Sequence, residues 1–206
     1  MISTISSLDF HELIRSRRSV RRFLPDPVPH PVIERLLETG TLAPSAHNRQ
    51  PWRFAVLTTL EAKTRLADAM GADFRRDLLA DGLPHAEIEI QVARSRARIC
   101  DAPVVIMLCL TMTSMDTYPD EKRQRAEYLM ATQSVAMAGG TILLAAHAEG
   151  LGGVWVCAPL FAPDTVRRAL ALPLDWEPQG MLLLGYPAKV PEARERKLLK
   201  EIAVLL

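Results

Sequence analysis

A predominantly apolar run over residues 130–148 limits what this chain can fold into more than any other stretch. A helix of that length could cross a bilayer. Thr132, Gln133, Ser134, Gly139, Gly140, Thr141 and His147 break the run, however, and so many polar groups and small residues argue against lipid. What remains is a helix buried in a protein core or in a contact between subunits. The helix is expected over residues 120–149, with its middle enclosed on every side.

The rest of the chain supplies partners for such a helix. Residues 103–110 are continuously apolar and of strand length, as a central strand covered on both faces requires. Residues 53–58, a short stretch after Gly150-Leu151-Gly152-Gly153, and residues 179–187 are further strand candidates. Apolar residues at helical spacing predict helices over 8–15, 30–40 with Gly40 as its stop, from 60 onward, and up to residue 100 with an interruption at Asp81-Gly82-Leu83-Pro84. A short helix is expected over 163–171, capped by Asp164, and a charged segment over 191–200. No repeat or linker divides the chain, so strands and helices share one layered α+β domain over residues 1–206.

The first helix runs into Arg17-Arg18-Ser19-Val20-Arg21-Arg22-Phe23. Guanidinium forks give paired, charge-assisted hydrogen bonds to phosphate, and an adjacent serine hydroxyl can take another oxygen. The same residues would also complement the negative end of the helix dipole. After Pro25, Pro27 and Pro29, which forbid helix, a second polar stretch stands out. Ser45, His47, Asn48, Arg49 and Gln50 lie between Pro44 and Pro51, in a loop joining a helix to a strand, where ligand sites are often found.

Composition closes off several functions. With 25 basic and 24 acidic side chains the net charge is +1, so no global field draws nucleic acid or an anionic membrane. The five histidines are scattered without ligand spacing, which gives no metal site. Gly150-Leu151-Gly152-Gly153 follows a helix and precedes a strand, the reverse of a dinucleotide loop. Cys157 has no base near it in sequence, and there is no nucleophile elbow. Three unpaired cysteines and no apolar leader point to a cytoplasmic protein.

The two polar motifs together, Arg17-Arg18-Ser19-Val20-Arg21 and Ser45-Ala46-His47-Asn48-Arg49-Gln50-Pro51-Trp52, resemble the nitroreductase family of flavin-dependent oxidoreductases. The order of elements, the apolar helix, the Gly-Leu-Gly turn and the Leu-Leu-Leu-Gly-Tyr-Pro strand extend that resemblance over nearly the whole chain. It implies an α+β nitroreductase-like fold, with a central mixed or antiparallel sheet flanked by helices. It also implies a domain-intertwined homodimer holding two FMN molecules at the subunit interface, across the apolar helix.

Carried over residue by residue, the resemblance makes Arg17, Arg18, Ser19, Val20 and Arg21 ligands of the ribityl phosphate and flavin edge. Asn48 reaches the isoalloxazine ring, and Asp77 is a further flavin contact. A main-chain N–H at Cys157 or Ala158 takes the place of the one that faces flavin N5 in many relatives. Arg194, ahead of Arg196 or Lys197, supplies a basic residue for the phosphate. Ser45, His47 and Arg49 face the substrate. No side chain is expected to act as a nucleophile, since the flavin carries the chemistry.

The implied reaction passes hydride from NAD(P)H, or from a reduced deazaflavin, through flavin N5 to an electron-poor small molecule. Phe74-Arg75-Arg76-Asp77-Leu78, Asp81-Gly82-Leu83-Pro84, Val92-Ala93-Arg94, Tyr118-Pro119-Asp120 and Asp175-Trp176-Glu177-Pro178 are similar to the nitroreductase-type domain of the bacterial deazaflavin-coenzyme glutamate ligase. That similarity implies a free-standing reductase of a dehydro precursor of the deazaflavin coenzyme, with Arg49, Arg75, Arg76 and Arg94 available to an anionic acceptor. A non-catalytic carrier of FMN or deazaflavin is the alternative.

Overall fold

The computed structural model describes residues 6–206, so the reading of the extreme N-terminus falls largely outside the described residues. The sheet is built around β2 (Val104–Leu110), every residue of which is buried. β2 pairs antiparallel with β1 (Trp52–Leu57) on one side and with β4 (Glu177–Gly185) on the other. β4 in turn pairs antiparallel with β3 (Gly152–Val156), giving the order β1-β2-β4-β3.

Because strand side chains alternate faces, β2 feeds two separate cores. Val104, Ile106, Leu108 and Leu110 enter one, and Val105, Met107 and Cys109 enter the other. The first core is closed by α2 (His30–Thr41) and α5 (Glu121–Ala148). The second is closed by α3 (Leu60–Ala80), the end of α4 (His85–Cys100) and α6 (Pro163–Ala169). An all-apolar strand is therefore what the architecture demands, since a polar residue on either face would be stranded without water.

α5 starts where Asp120 accepts the Arg123 N–H at 3.0 Å, an N-cap that satisfies one free donor of the first turn. Ala131, Ser134, Val135, Ala138, Ile142 and Ala146 are buried on the sheet and α2. The expectation that the middle of this helix is enclosed all round is not met within one chain. A helix lying on one face of a sheet buries only the facing stripe, and here the other stripe is apolar as well: Leu129 is 49% and Met137 41% exposed.

Several local expectations are corrected. Gly40 does not stop α2, which continues to Thr41; a Cβ at Gly40 would lie 2.6 Å from Ile142 Cγ1, so glycine there permits close packing on α5. α6 ends at Ala169, and Asp164 makes no cap hydrogen bond but pairs with Arg167 inside the helix. β4 begins two residues before the expected strand, at Glu177. Residues 191–198 form no element and lead to one exposed turn of helix, α7 (Leu199–Ile202).

α1 (Ser7–Ser16) buries no residue, yet the segment after it is firmly held. Val20 N–H donates to Gly153 O at 3.1 Å, Leu24 N–H to Tyr186 O at 2.8 Å, and Ser19 forms a parallel bridge with Gly153. This segment thereby covers the free edge of β3. Gly152 permits the approach: a Cβ there would stand 2.7 Å from Val20 Cβ.

Candidate functional site

The fold brings the arginine cluster to the start of β3. Ser16, Arg17, Arg18 and Val20 line a concavity of about 130 Å³ with Leu143 and His147 of α5, residues 150–153, Pro187 and Val190. No carboxylate of the described residues lines it. Among the described residues, Arg17, Arg18 and Arg21 have no acidic partner, whereas Arg35, Arg49, Arg65, Arg75, Arg76, Arg96, Arg123 and Arg167 all do. Unneutralised guanidinium groups around a glycine-lined hollow suit a phosphate.

The dipole reading is also realised in part. Arg18 Nη1 donates to Arg15 O and Arg17 O, where α1 leaves carbonyls without partners. Val20 acts as an anchor: its side chain is 3% exposed and its N–H is already used. On the α5 side, Ser16 Oγ lies 2.9 Å from His147 Nε2. Burial first, then the nearby Arg17 and Arg18, hold the His147 pKa below the ordinary histidine value.

β3 runs from this hollow to the turn at Cys157, about 13 Å at some 3.3 Å per residue. Ala158 and Phe161, in a short 3-10 helix after β3, line one wall of a second cavity of about 730 Å³. Asp73, Phe74 and Asp77 of α3 and Arg94, Ser95 and Arg98 of α4 line the others. Asp77 and Ala158, far apart in sequence, thus share one cavity. Cys157 is exposed, and its Sγ accepts the Trp155 Nε1–H at 3.1 Å. The Trp155 ring sits where a Cβ at Gly139 or Gly180 would be, 2.3 Å and 2.9 Å away, so two glycines fix the indole beside this turn.

Arg94 and Arg98 stand four residues apart on α4, both lining this cavity and neither paired with an acid among the described residues. Arg96 lies between them in sequence. Helix geometry separates them: Arg96 turns away to Asp68 at 2.7 Å. Arg98 and Ser95 are absent from the expected ligand set. Their i, i+3 and i, i+4 spacing from residues 94–98 was the available signal. Asp73 on the facing wall is held below the usual carboxylate range, chiefly by the Thr165 hydroxyl and then by Arg76.

The loop expected to face the ring and substrate is held in an unusual backbone conformation. His47, Asn48 and Gln50 have φ of 50°, 54° and 51°, the left-handed region that non-glycine residues rarely enter. Ser45 Oγ accepts the Gln50 N–H at 3.1 Å, and the Ala46 N–H donates to Ser134 Oγ of α5 at 3.3 Å. The Asn48 side chain takes a hydrogen bond from Gln50 Nε2. Arg49 pairs with Asp116 at the surface, and Arg75 and Arg76 with Glu89 and Asp73, which occupies three of the four arginines expected for an anionic acceptor.

Within one chain the structure does not unite this loop with the arginine cluster. Their anchor points on α5, Ser134 and His147, are 13 residues apart, about 20 Å at 1.5 Å per residue. Arg194 is exposed in residues 191–198 and meets neither. Of the other cysteines, Cys109 is buried in the sheet with its pKa pushed up to about 12 by burial, which leaves it an inert packing residue.

A phosphorylated flavin fits these residues. Its phosphate finds guanidinium groups without acidic partners in a hollow lined by no carboxylate of the described residues, and one strand length away an amphipathic cavity offers apolar walls from Phe74 and Phe161 with polar groups of both signs, Arg94 and Arg98 against Asp73, Asp77, Asp81 and Glu87.

Known proteins agree. The nitroreductase family profile matches residues 14–186. The chain is 30% identical to an NADH dehydrogenase of Thermus thermophilus over 213 aligned positions, covering 92% of each protein. It is 32% identical to a 5,6-dimethylbenzimidazole synthase of Rhodospirillum rubrum, covering 87% of this chain and 84% of that one. A nitroreductase-type protein from Desulfovibrio desulfuricans, solved in complex with FMN, superposes with a TM-score of 0.73 at 26% identity, covering 98% and 99% of the two chains. With the family matched across the sheet, the arginine cluster and the cavity alike, this chain belongs to the nitroreductase family.

Proposed function

We propose that the protein is a homodimeric oxidoreductase that takes hydride from NAD(P)H and delivers it to an electron-poor small molecule. Bound FMN supplies the two-electron chemistry, accepting and returning hydride at N5. The observation that carries the reading is the pairing of a carboxylate-free guanidinium hollow with an amphipathic cavity at opposite ends of β3.

The chain's own residues do the positioning. Arg17 and Arg18 hold the phosphate. Arg98, with Arg94 one turn away, offers guanidinium donors to a polar edge of a ring bound in the cavity, whose lining also carries the carboxylates of Asp73, Asp77, Asp81 and Glu87. The Cys157 and Ala158 N–H groups make no hydrogen bond within the described chain and are free to donate to a ring atom. Trp155, clamped by Gly139 and Gly180, fixes that turn. Phe74, Ile90 and Phe161 give the cavity its apolar lining. Three free thiols are in keeping with a reducing, cytoplasmic setting.

The dimer completes the site. The open stripe of α5 leaves Leu129 and Met137 in water, an apolar surface of the kind that marks a contact. Met137→Glu is expected to weaken association about 30-fold or more by placing a charge in the contact. Sedimentation velocity across a concentration series reads this directly, and an unchanged mass would remove α5 from the interface.

The deazaflavin motifs have structural roles in this chain. Asp175 accepts the Thr111 hydroxyl at 2.8 Å, and Glu177 accepts the Tyr128 hydroxyl. Residues 81–84 form the α3–α4 turn, where Gly82 has φ +78°. These motifs therefore hold the fold together, whereas Phe74, Asp77 and Arg94 line the cavity, and the acceptor is left open. The test is turnover: the purified protein is expected to show a flavin spectrum and to oxidise NADH or NADPH with a quinone, a nitroarene or a dehydro deazaflavin precursor. A flavin-loaded protein that turns over none of these would be a carrier.

A further inference from the structure

We propose that His147 is a third cationic ligand of the FMN phosphate, standing with Arg17 and Arg18 and taking up a proton when the phosphate binds. The inference rests on the reading that the phosphate occupies the Arg17–Arg18 hollow.

Three observations carry it. His147 lines that hollow from α5, opposite the two arginines, although it lies 129 and 130 positions from them in sequence. Its Nε2 is 2.9 Å from Ser16 Oγ, and Ser16 Oγ is also 2.8 Å from Glu12 O and 3.2 Å from Leu13 O. Both carbonyls can only accept, so the hydroxyl proton goes to one of them and Oγ accepts from Nε2–H. That assigns the tautomer and leaves Nδ1 as the titrating nitrogen, for which the described chain offers no partner.

The charged surroundings are one-sided. From the segment after α1, Arg17 and Arg18 face the imidazole. Just past the end of α5 the next ionisable group, Glu149, is engaged in a two-point pair with Arg35. Residues 150–153 and the tail residues Pro187 and Val190 contribute nothing that titrates. Without an anion, a third positive charge is repelled and the ring stays neutral. A phosphate dianion reverses the sign of the local field, so the protonated imidazole becomes the stable form and its Nδ1–H a charge-assisted donor.

The sign of the pH effect follows. The His147 pKa, lowered in the free site, rises on binding, so the affinity it adds is fully present below the free value and is lost as pH climbs through the bound value. The phosphate's own second ionisation, at about 6, works in the opposite direction, but it is common to every variant and cancels in a ratio.

The test compares the whole chain, stripped of cofactor, with its His147→Gln variant, whose amide nitrogen can still donate to Ser16 Oγ. Flavin fluorescence quenching is titrated with FMN and with riboflavin. At about pH 5.5 the natural chain is expected to bind FMN about tenfold more tightly than the variant, and at about pH 8.5 equally well. Riboflavin affinity is expected to be the same for both at either pH. A ratio that does not change with pH would overturn the role of His147. If the natural chain binds FMN no better than riboflavin at the higher pH, the phosphate reading itself fails. Ring-proton NMR titration of the natural chain gives a readout independent of the variant's folding: the His147 pKa rises with FMN and stays put with riboflavin, and equal values with the two ligands would again count against it.

Discussion

Gly139→Ala is expected to destabilise the protein by roughly 3 kcal/mol, the upper part of the usual range for overpacking a core. In an exposed helix the same change would stabilise by about 1 kcal/mol, so the expected sign is opposite to helix propensity. A methyl at Gly139 would lie 2.3 Å from Trp155 Cζ3 and 2.6 Å from Leu108 Cδ1. Leucine can swing its methyl aside, but the indole is held from the other side by Gly180, where a Cβ would stand 2.9 Å from the ring. The ring must move, and its Nε1–H carries the Cys157 turn with it. Urea unfolding gives the stability change, and the visible flavin spectrum should shift because the turn borders the cavity. A variant as stable as the natural protein would show that the indole is not clamped.

Removing the guanidinium groups is expected to have the largest effect on cofactor binding. A hydrogen bond to a charged group contributes about 1.5–3 kcal/mol, so Arg17→Ala or Arg18→Ala should each raise the FMN dissociation constant about 10- to 100-fold. Riboflavin affinity should not change. Arg17→Lys should fall between, since a lysine keeps the charge and loses the planar fork. Arg18→Ala should in addition cost a few tenths of a kcal/mol or more in stability, because Nη1 also caps the carbonyls at the end of α1. Isothermal titration with both flavins reads these values. An unchanged FMN constant in the double variant would place the phosphate elsewhere.

How far the sequence could be read depended on whether a residue's role was local. Residues 104–110 announced a doubly covered strand because every position is apolar, and the two cores beneath it follow from alternation alone. Gly40 was misread because a helix stop and a close helix crossing both call for glycine, and only the position of Ile142 separates them. At the site, Arg17 and Arg18 stood out because they are adjacent. Arg98 and Ser95 did not, because what distinguishes them is a cavity formed jointly with α3 and the turn after β3. The loop 45–50 was legible as polar and stiff, but its left-handed residues and its link to Ser134 come from packing against α5, which no local pattern encodes.

The backbone that carries Ser19 and Val20 also seals the flank of β3 through its bridge to Gly153. An unsealed strand flank presents free amides and carbonyls to any passing chain, the usual seed of intermolecular sheet growth. Solubility and cofactor retention are therefore coupled in this protein: a lesion that lets the basic segment drift off the sheet would be seen first as precipitation on storage, ahead of any loss of colour.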